Sequence, residues 1–261
     1  MKKFLAVVMT AVLAMSMMTA CGSSKSSKEN KDTTAAKAET TKAETIDASG
    51  VTLVSDGVLT VGAEMGYAPF ETLQKDGKTP EGFDIDIITE IAKRLGLKVN
   101  FINTSFDGIL GKIGKDYDVV CSAVTINPTR KKAVLFSTPY ITNYQTVVGT
   151  TSDQLMSEYK STKTINVEVA ANDKLLNCFT QLTNGEIDAV VVDSTVADGF
   201  VAKNPDKYEK AFSDKTEPEE FGIAIGKNNA KLQEAINKAL EQMDKDGFLK
   251  DTADYWFSSQ E

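Results

Sequence analysis

Residues 118–140 read DVVCSAVTINPTRKKAVLFSTPY, and the fold turns on how this stretch is read. Val119 to Val124 is an apolar run with hydroxyls near its end, at Ser122 and Thr125. A short apolar run of this kind is the pattern of a strand buried on both faces of a sheet. A proline and then Arg130 follow a few residues past the strand end. In an open α/β sheet, ligands bind outside the carboxyl ends of the strands. A guanidinium placed there holds a carboxylate through two parallel charge-assisted hydrogen bonds, which Lys does less well. Taken alone, an Arg at such a place is read as a surface ion pair. The rest of the chain changes that reading.

Outward from this stretch, strand and helix patterns alternate. Val58–Ala63 reads as a strand and Asp84–Leu95 as a helix with Ile88, Ile91, Ala92 and Leu95 on one face. Gly96 ends the helix, Leu97–Ile102 is the next strand, Phe106–Lys115 is helical, and Tyr117–Val124 is the buried strand. Asp84 and Asp86 read as an N-cap with an acidic first turn. Beyond Tyr140 come a strand at Tyr144–Val148, a helix at Ser152–Tyr159 and a strand at Ile165–Val169. A helix at Asp173–Thr183 and a strand at Ile187–Val192 follow. FGIAI at 221–225 is a last strand, ahead of helices at Ala230–Met243 and Phe248–Phe257. Alternation of this kind predicts an α/β fold, a parallel sheet covered by helices on both faces.

Residues 1–21 have the pattern of an export signal: Lys2 and Lys3, an apolar stretch from Phe4 to Met18, then Met18-Thr19-Ala20-Cys21. That last tetrad resembles a bacterial lipobox, with Met18 in place of the usual Leu, so Cys21 is expected to be lipidated. Residues 22–45 contain no large apolar side chain. They are expected to form a disordered tether off a membrane surface. Residues 46–261 carry 22 Lys+Arg and 33 Asp+Glu, for 22 − 33 = −11. That balance argues against nucleic acid, which needs a basic footprint. Cys121 and Cys178 stand in no CxxC or framework spacing and read as free thiols. The chain has no His, so Ser-His-Asp and Cys-His arrangements and His-containing metal sites are excluded. No GxxxxGK[ST] loop is present. No catalytic residue, metal or cofactor is expected.

From about Val58 to Phe257 the chain resembles the polar amino-acid-binding proteins of ABC importers, the bacterial extracellular solute-binding proteins of family 3. The blocks that carry the resemblance are VGAEMGYAPFE (61–71), EGFDIDIITEIAKRLG (81–96), NTSFDGILGKI (103–113) and YDVVCSAVTINPTRKKAVLFSTPY (117–140). Further along are GTTSDQLM (149–156), NGEIDAVVVDS (184–194) and FGIAI (221–225). The resemblance implies a two-lobe, type II periplasmic-binding-protein fold. The first lobe would hold 46–142 and 223–261, and 143–222 would form the second lobe with the crossing strands.

It implies in addition that Arg130 binds a ligand α-carboxylate, helped by Thr125. Ala123 would meet the α-ammonium, and Asp193 would pair with it. Thr150 and Thr151 would cap the carboxylate from the second lobe. Tyr67 and Phe106 would sandwich the ligand side chain, with Glu64 at its far end. Physical grounds stand beside these roles. Gly149-Thr150-Thr151 reads as a helix N-terminus, whose amides attract an anion, and as an ordinary Thr N-cap. Asp193 lies at a strand end, and equally suits the N-cap of a following helix. The function implied is capture of a free polar amino acid by hinge closure, outside the cytoplasmic membrane, and delivery to an ABC permease. The protein would be a monomer held to the bilayer through Cys21.

One feature departs from the family. After the FSxPY-type block, its members have a further strand and helix before the Gly-Thr-Thr turn, whereas here Tyr144–Val148 runs directly into Gly149. A parallel crossover takes a dozen or more residues, and none are present. The second lobe is therefore expected to be shortened, with an exposed strand edge and impaired closure. Two alternative functions stand beside this one: a cyclohexadienyl dehydratase-like enzyme on the same fold, with Glu64 or Glu71 as acid, and a ligand-sensing module for a membrane receptor.

Overall fold

The computed structural model describes residues 45–150, 168, 170, 172 and 174–257. Strand β1 (Val58–Ala63) is central: every residue after Val58 is buried. It pairs in parallel with β4 (Lys98–Asn103) on one side and β5 (Val119–Val120) on the other. The chain returns much later as β10 (Ala224–Ile225), antiparallel to both β5 and β6 (Leu135–Phe136). The sheet order is β4-β1-β5-β10-β6. A small hairpin, β2 (Thr72–Leu73) with β3 (Pro80–Glu81), lies outside it.

Both faces of this sheet are covered, as the alternation of strand and helix predicts. Leu59, Val61, Val119 and Ile225 point to a core closed by α1 (Phe83–Arg94), α5 (Ala230–Lys245) and α6 (Phe248–Phe257). Ile87, Ile88 and Ile91 of α1 and Leu232, Ile236 and Met243 of α5 are fully buried there. Each such side chain contributes roughly 1.5–3 kcal/mol by leaving water. Trp256 ties α6 to α1 by donating from its indole N–H to Asp86 at 2.7 Å. On the opposite face Val120 and Ala224 meet Ile109, Tyr117 and Val134.

That second cover is not the helix expected at Phe106–Lys115. Only Ile109–Lys112 form a short 3-10 turn, bracketed by Gly108 and Gly114 in left-handed conformations. Three glycines in this decapeptide make a regular helix costly. The strand expected over Tyr117–Val124 is also shorter, because the chain leaves the ladder after Val120 and turns through Ala123 at φ +46°. Tyr117 packs its ring against Gly62, where a Cβ would come within 2.7 Å, and donates its hydroxyl to the Ile109 carbonyl at 2.5 Å. Nor is Asp84 the N-cap of α1. Gly82 holds that position, and the Asp84 side chain is fully buried.

The second sheet has the order β8-β7-β9 and is antiparallel throughout. Strand β7 (Ile141–Thr150) is its centre, between β8 (Ala189–Asp193) and β9 (Tyr208–Phe221). Val148, Val190 and Val192 are buried with Phe179 and Leu182 of α3 (Leu175–Asn184) and Val196 and Ala197 of α4 (Ser194–Lys203). Gly149 and Thr150 therefore extend a strand, opposite Glu209 and Tyr208, and do not open a helix. Strand β7 runs unbroken from Ile141 to Thr150, so the first two residues of the Gly-Thr-Thr segment belong to the strand. The helix expected at 152–159 and the strand at 165–169 fall outside the described residues, except for Glu168, which is in neither a helix nor a strand. Residues 1–44, with the expected signal, Cys21 and tether, also fall outside them. Among the described residues no helix is long and apolar enough to cross a membrane. Cys121 and Cys178 are both free.

Candidate functional site

A cleft of about 580 Å³ opens at the carboxyl ends of β1 and β5. It is lined by Glu64, Tyr67, Phe106, Ala123, Thr125, Arg130 and Asp193, so seven of the nine ligand residues expected from sequence converge there. Thr150 ends β7 opposite Tyr208, and Thr151 lies outside the described residues.

Arg130 rides on a short helix, α2 (Pro128–Ala133), whose start is fixed by its own sequence. Pro128 suits the first turn, and the Asn127 side chain caps it by accepting from the Arg130 amide at 2.8 Å. The guanidinium donates to the Thr125 carbonyl at 3.0 Å and stands over the Phe106 ring at 5.4 Å. Phe106 is thus a platform for the cation. Among the described residues no carboxylate forms an ion pair with Arg130. Burial lowers its pKa, and the charge of Glu219 opposes that at longer range. A half-buried cation in this setting can accept an anion through charge-assisted hydrogen bonds.

Ala123 sits in the left-handed region, unusual for a residue with a Cβ. A chain of bonds from the core holds it there. Its amide donates to Asp84 at 2.7 Å, and the Tyr140 hydroxyl donates to the same carboxylate at 3.0 and 2.9 Å. Burial pushes Asp84 up to about 6, against those bonds. Ser122 accepts from the Glu64 amide at 3.0 Å and donates to Glu71 at 2.6 Å. Glu71 is fully buried, with Oε2 unpartnered. Burial first, and the Asp84 charge next, push its carboxyl well above the usual range.

Asp193 occupies the N-cap position of α4 but makes no capping bond with its side chain. Asn143 of β7 does that work instead, accepting from the Thr195 amide at 3.4 Å and donating to the Thr195 hydroxyl at 2.8 Å. The Asp193 carboxylate is left to face the cleft. It accepts from the Tyr67 hydroxyl and, at 3.0 Å, from the Gln145 amide. Burial raises it to about 6, and Glu219 adds to the rise. Glu64 is ion-paired with Lys174 at 2.6 Å.

Gln145, Glu219 and Lys174 line the cleft and were not among the expected site residues. Glu219 accepts from the Thr125 hydroxyl at 3.0 Å and from Gln145 at 3.1 Å. The only sequence signal for it was its place two residues before Phe221, on the same strand face as that crossing residue.

Comparisons with known proteins bear on the fold and the family. The L-cystine-binding protein TcyJ of Escherichia coli (strain K12) is 34% identical, covering 78% of this chain and 84% of that one. That alignment runs over 227 positions, whereas 78% of 261 residues is about 204. About 23 positions of the relative (227 − 204) therefore face no residue here. Among solved structures, a P235GK mutant of ArgBP from T. maritima matches with TM-score 0.69 at 33% identity, over 77% of this chain and 96% of that one. An ancestral arginine-binding protein bound to glutamine matches with TM-score 0.68 at 35% identity, over 78% and 99%. These neighbours share the two-lobe, type II periplasmic-binding-protein fold. The family profile itself matches residues 59–259, and on that match the chain belongs to the bacterial extracellular solute-binding proteins, family 3.

Proposed function

We propose that the chain captures a free polar amino acid between two lobes and delivers it to an ABC permease, without turnover. The lobes are 46–142 with 223–261, and 143–222 with the crossing strands; a lipidated Cys21 and the segment 22–45 hold the monomer to the bilayer. The observation that carries the reading is the opposition, in one cleft, of Arg130 with Thr125 on one side and Asp193 on the other. A cation and an anion so placed match the two ends of an amino-acid zwitterion. Micromolar affinity needs about 8 kcal/mol. Closure follows when the second lobe adds contacts that favour the closed state over the open one.

We also propose that the second lobe is shortened. The unbroken run of β7 into Thr150, the three-stranded sheet among the described residues and the 66% exposure of Val191 on β8 support this. The about 23 unmatched positions of the relative agree in number with a lost strand and helix.

A thermal-shift screen of the twenty amino acids and cystine, followed by calorimetry, tests the function. At least one polar amino acid is expected to bind saturably, and Arg130→Ala is expected to abolish that binding. Retained affinity in Arg130→Ala would place the carboxylate site elsewhere. Product formation from a cyclic dienyl acid would replace binding with catalysis.

A further inference from the structure

The polar groups assigned to the two ends of a ligand already have partners within the chain, and those partners resemble a ligand. Gln145 Nε2 donates to Asp193 Oδ1 at 3.0 Å, where an α-ammonium would donate. Glu219 Oε2 accepts from the Thr125 hydroxyl at 3.0 Å, where an α-carboxylate would accept. Gln145 Nε2 also lies 3.1 Å from Glu219 Oε1. Donor nitrogen and carboxylate thus sit side by side, much as they do within an α-amino acid.

Strand geometry fixes the pair. Gln145 stands directly opposite Asp193 in the β7–β8 ladder. In the β7–β9 ladder the register shifts between Asn143 and Gln145, whose partners are Glu219 and Asp214. The shift sets residues 215–218 of β9 against the single Tyr144 of β7 and leaves Glu219 beside the Gln145 side chain; in unbroken register from Asp214 it would stand opposite Tyr140, five positions away.

We propose that Gln145 and Glu219 are specificity-determining residues, an amide and a carboxylate that stand in for the ends of a zwitterion and must be displaced by it. This rests on the roles given to Thr125 and Asp193 under the proposed function. A ligand with both ends replaces both internal bonds. A ligand lacking its carboxylate leaves Glu219 on Thr125 and gains nothing there. Selection for whole amino acids over their amine fragments then arises from internal competition as well as from attraction.

Calorimetry with L-arginine, L-glutamine, L-cystine and agmatine (arginine without its carboxylate) tests this on the wild-type chain, Glu219→Ala, Glu219→Gln and Gln145→Ala. Removing the stand-in carboxylate in Glu219→Ala is expected to tighten the amino acids about tenfold, which corresponds to about 1.4 kcal/mol, and to leave agmatine unchanged or weaker. Glu219→Gln, which keeps the acceptor and removes the charge, is expected to give a smaller gain. Gln145→Ala is expected to tighten L-arginine and agmatine alike. Amino-acid affinity unchanged or reduced in Glu219→Ala, or agmatine gaining as much as arginine, would overturn the inference while leaving the binding function standing. Failure of the wild type and every variant to bind these three or any other of the twenty amino acids would remove both.

Discussion

Asp193→Asn separates what this side chain does for binding from what it costs the fold. Asp193 is buried and its carboxyl is raised from 3.8 to about 6, chiefly by desolvation. A raised carboxyl holds its proton in the folded chain at pH values where the unfolded chain has released it. Its contribution to stability is therefore complete below pH 3.8 and is lost as pH rises to about 6. A shift of about 2 units is worth about 3 kcal/mol at about 1.4 kcal/mol per unit. Asn at 193 does not titrate and escapes that loss. It gives up one good acceptor, since an amide NH₂ cannot accept from both Tyr67 and Gln145, at about 1 kcal/mol.

Asp193→Asn is thus expected to be no more stable than wild type near pH 4 and about 2 kcal/mol more stable at pH 7. For a domain of this size that is roughly 4–8 °C in melting temperature. Denaturant unfolding at pH 4, 5, 6 and 7 measures the difference curve. The same variant is expected to bind amino acids roughly 10–100-fold more weakly, because a charge-assisted bond to the ammonium is gone. A stability difference flat from pH 4 to 7, or a variant less stable than wild type at pH 7, would refute the reasoning.

In wild-type protein, amino-acid affinity is expected to fall about tenfold per pH unit below about pH 6, as Asp193 takes up its proton, and calorimetry should find that slope gone in Asp193→Asn. Arg130→Lys keeps the charge but loses the two-pronged geometry, so it should weaken amino-acid binding by at least about tenfold; wild-type affinity would show that a point charge suffices. Gly82→Ala should destabilise the fold by more than about 3 kcal/mol, read as a shift in denaturant midpoint. Its Cβ would lie 2.1 Å from the Phe70 carbonyl oxygen, at φ +139°. Tyr140→Phe removes the hydroxyl from Asp84 and should cost about 1–3 kcal/mol, with the larger loss above pH 6, where Asp84 is ionised.

How much of this was legible in the sequence follows from which interactions are local. The strand at Val58–Ala63 is legible with its observed bounds because every residue after Val58 is buried. Arg130 is legible from an apolar run followed by a proline and a cation, a local signature of a strand end, whereas its helix and the Asn127 cap are seen only in the structure. The helix expected at 106–115 does not form because its three glycines outweigh its apolar spacing. Asp84 looked like a cap because acidic residues at helix starts usually are. Its burial under Tyr140 depends on a contact with a residue 56 positions away. Gln145 and Glu219 depend on a register shift between strands some 70 residues apart, which no local pattern encodes.

The same distinction bears on closure. Strand β8 is at the edge of its sheet among the described residues, and Val191 and Leu176 are exposed at 66% and 67%. Apolar burial therefore holds this end of the molecule less firmly than it holds the first sheet. The contacts that join it to the 64–67 turn are polar: Tyr67 to Asp193 and Glu64 to Lys174. Lys174 is more than half exposed, so its ion pair contributes little on its own. The bond between Tyr67 and the buried Asp193 is the stronger tie, and it lies where the ligand would bind. An amino acid that displaces Gln145 while keeping Tyr67 on Asp193 adds its contacts to that tie. One that draws Asp193 away from Tyr67 weakens it. On the proposed function, affinity in this cleft would be governed by how the ammonium shares Asp193 with Tyr67, as well as by the grip of Arg130 on the carboxylate.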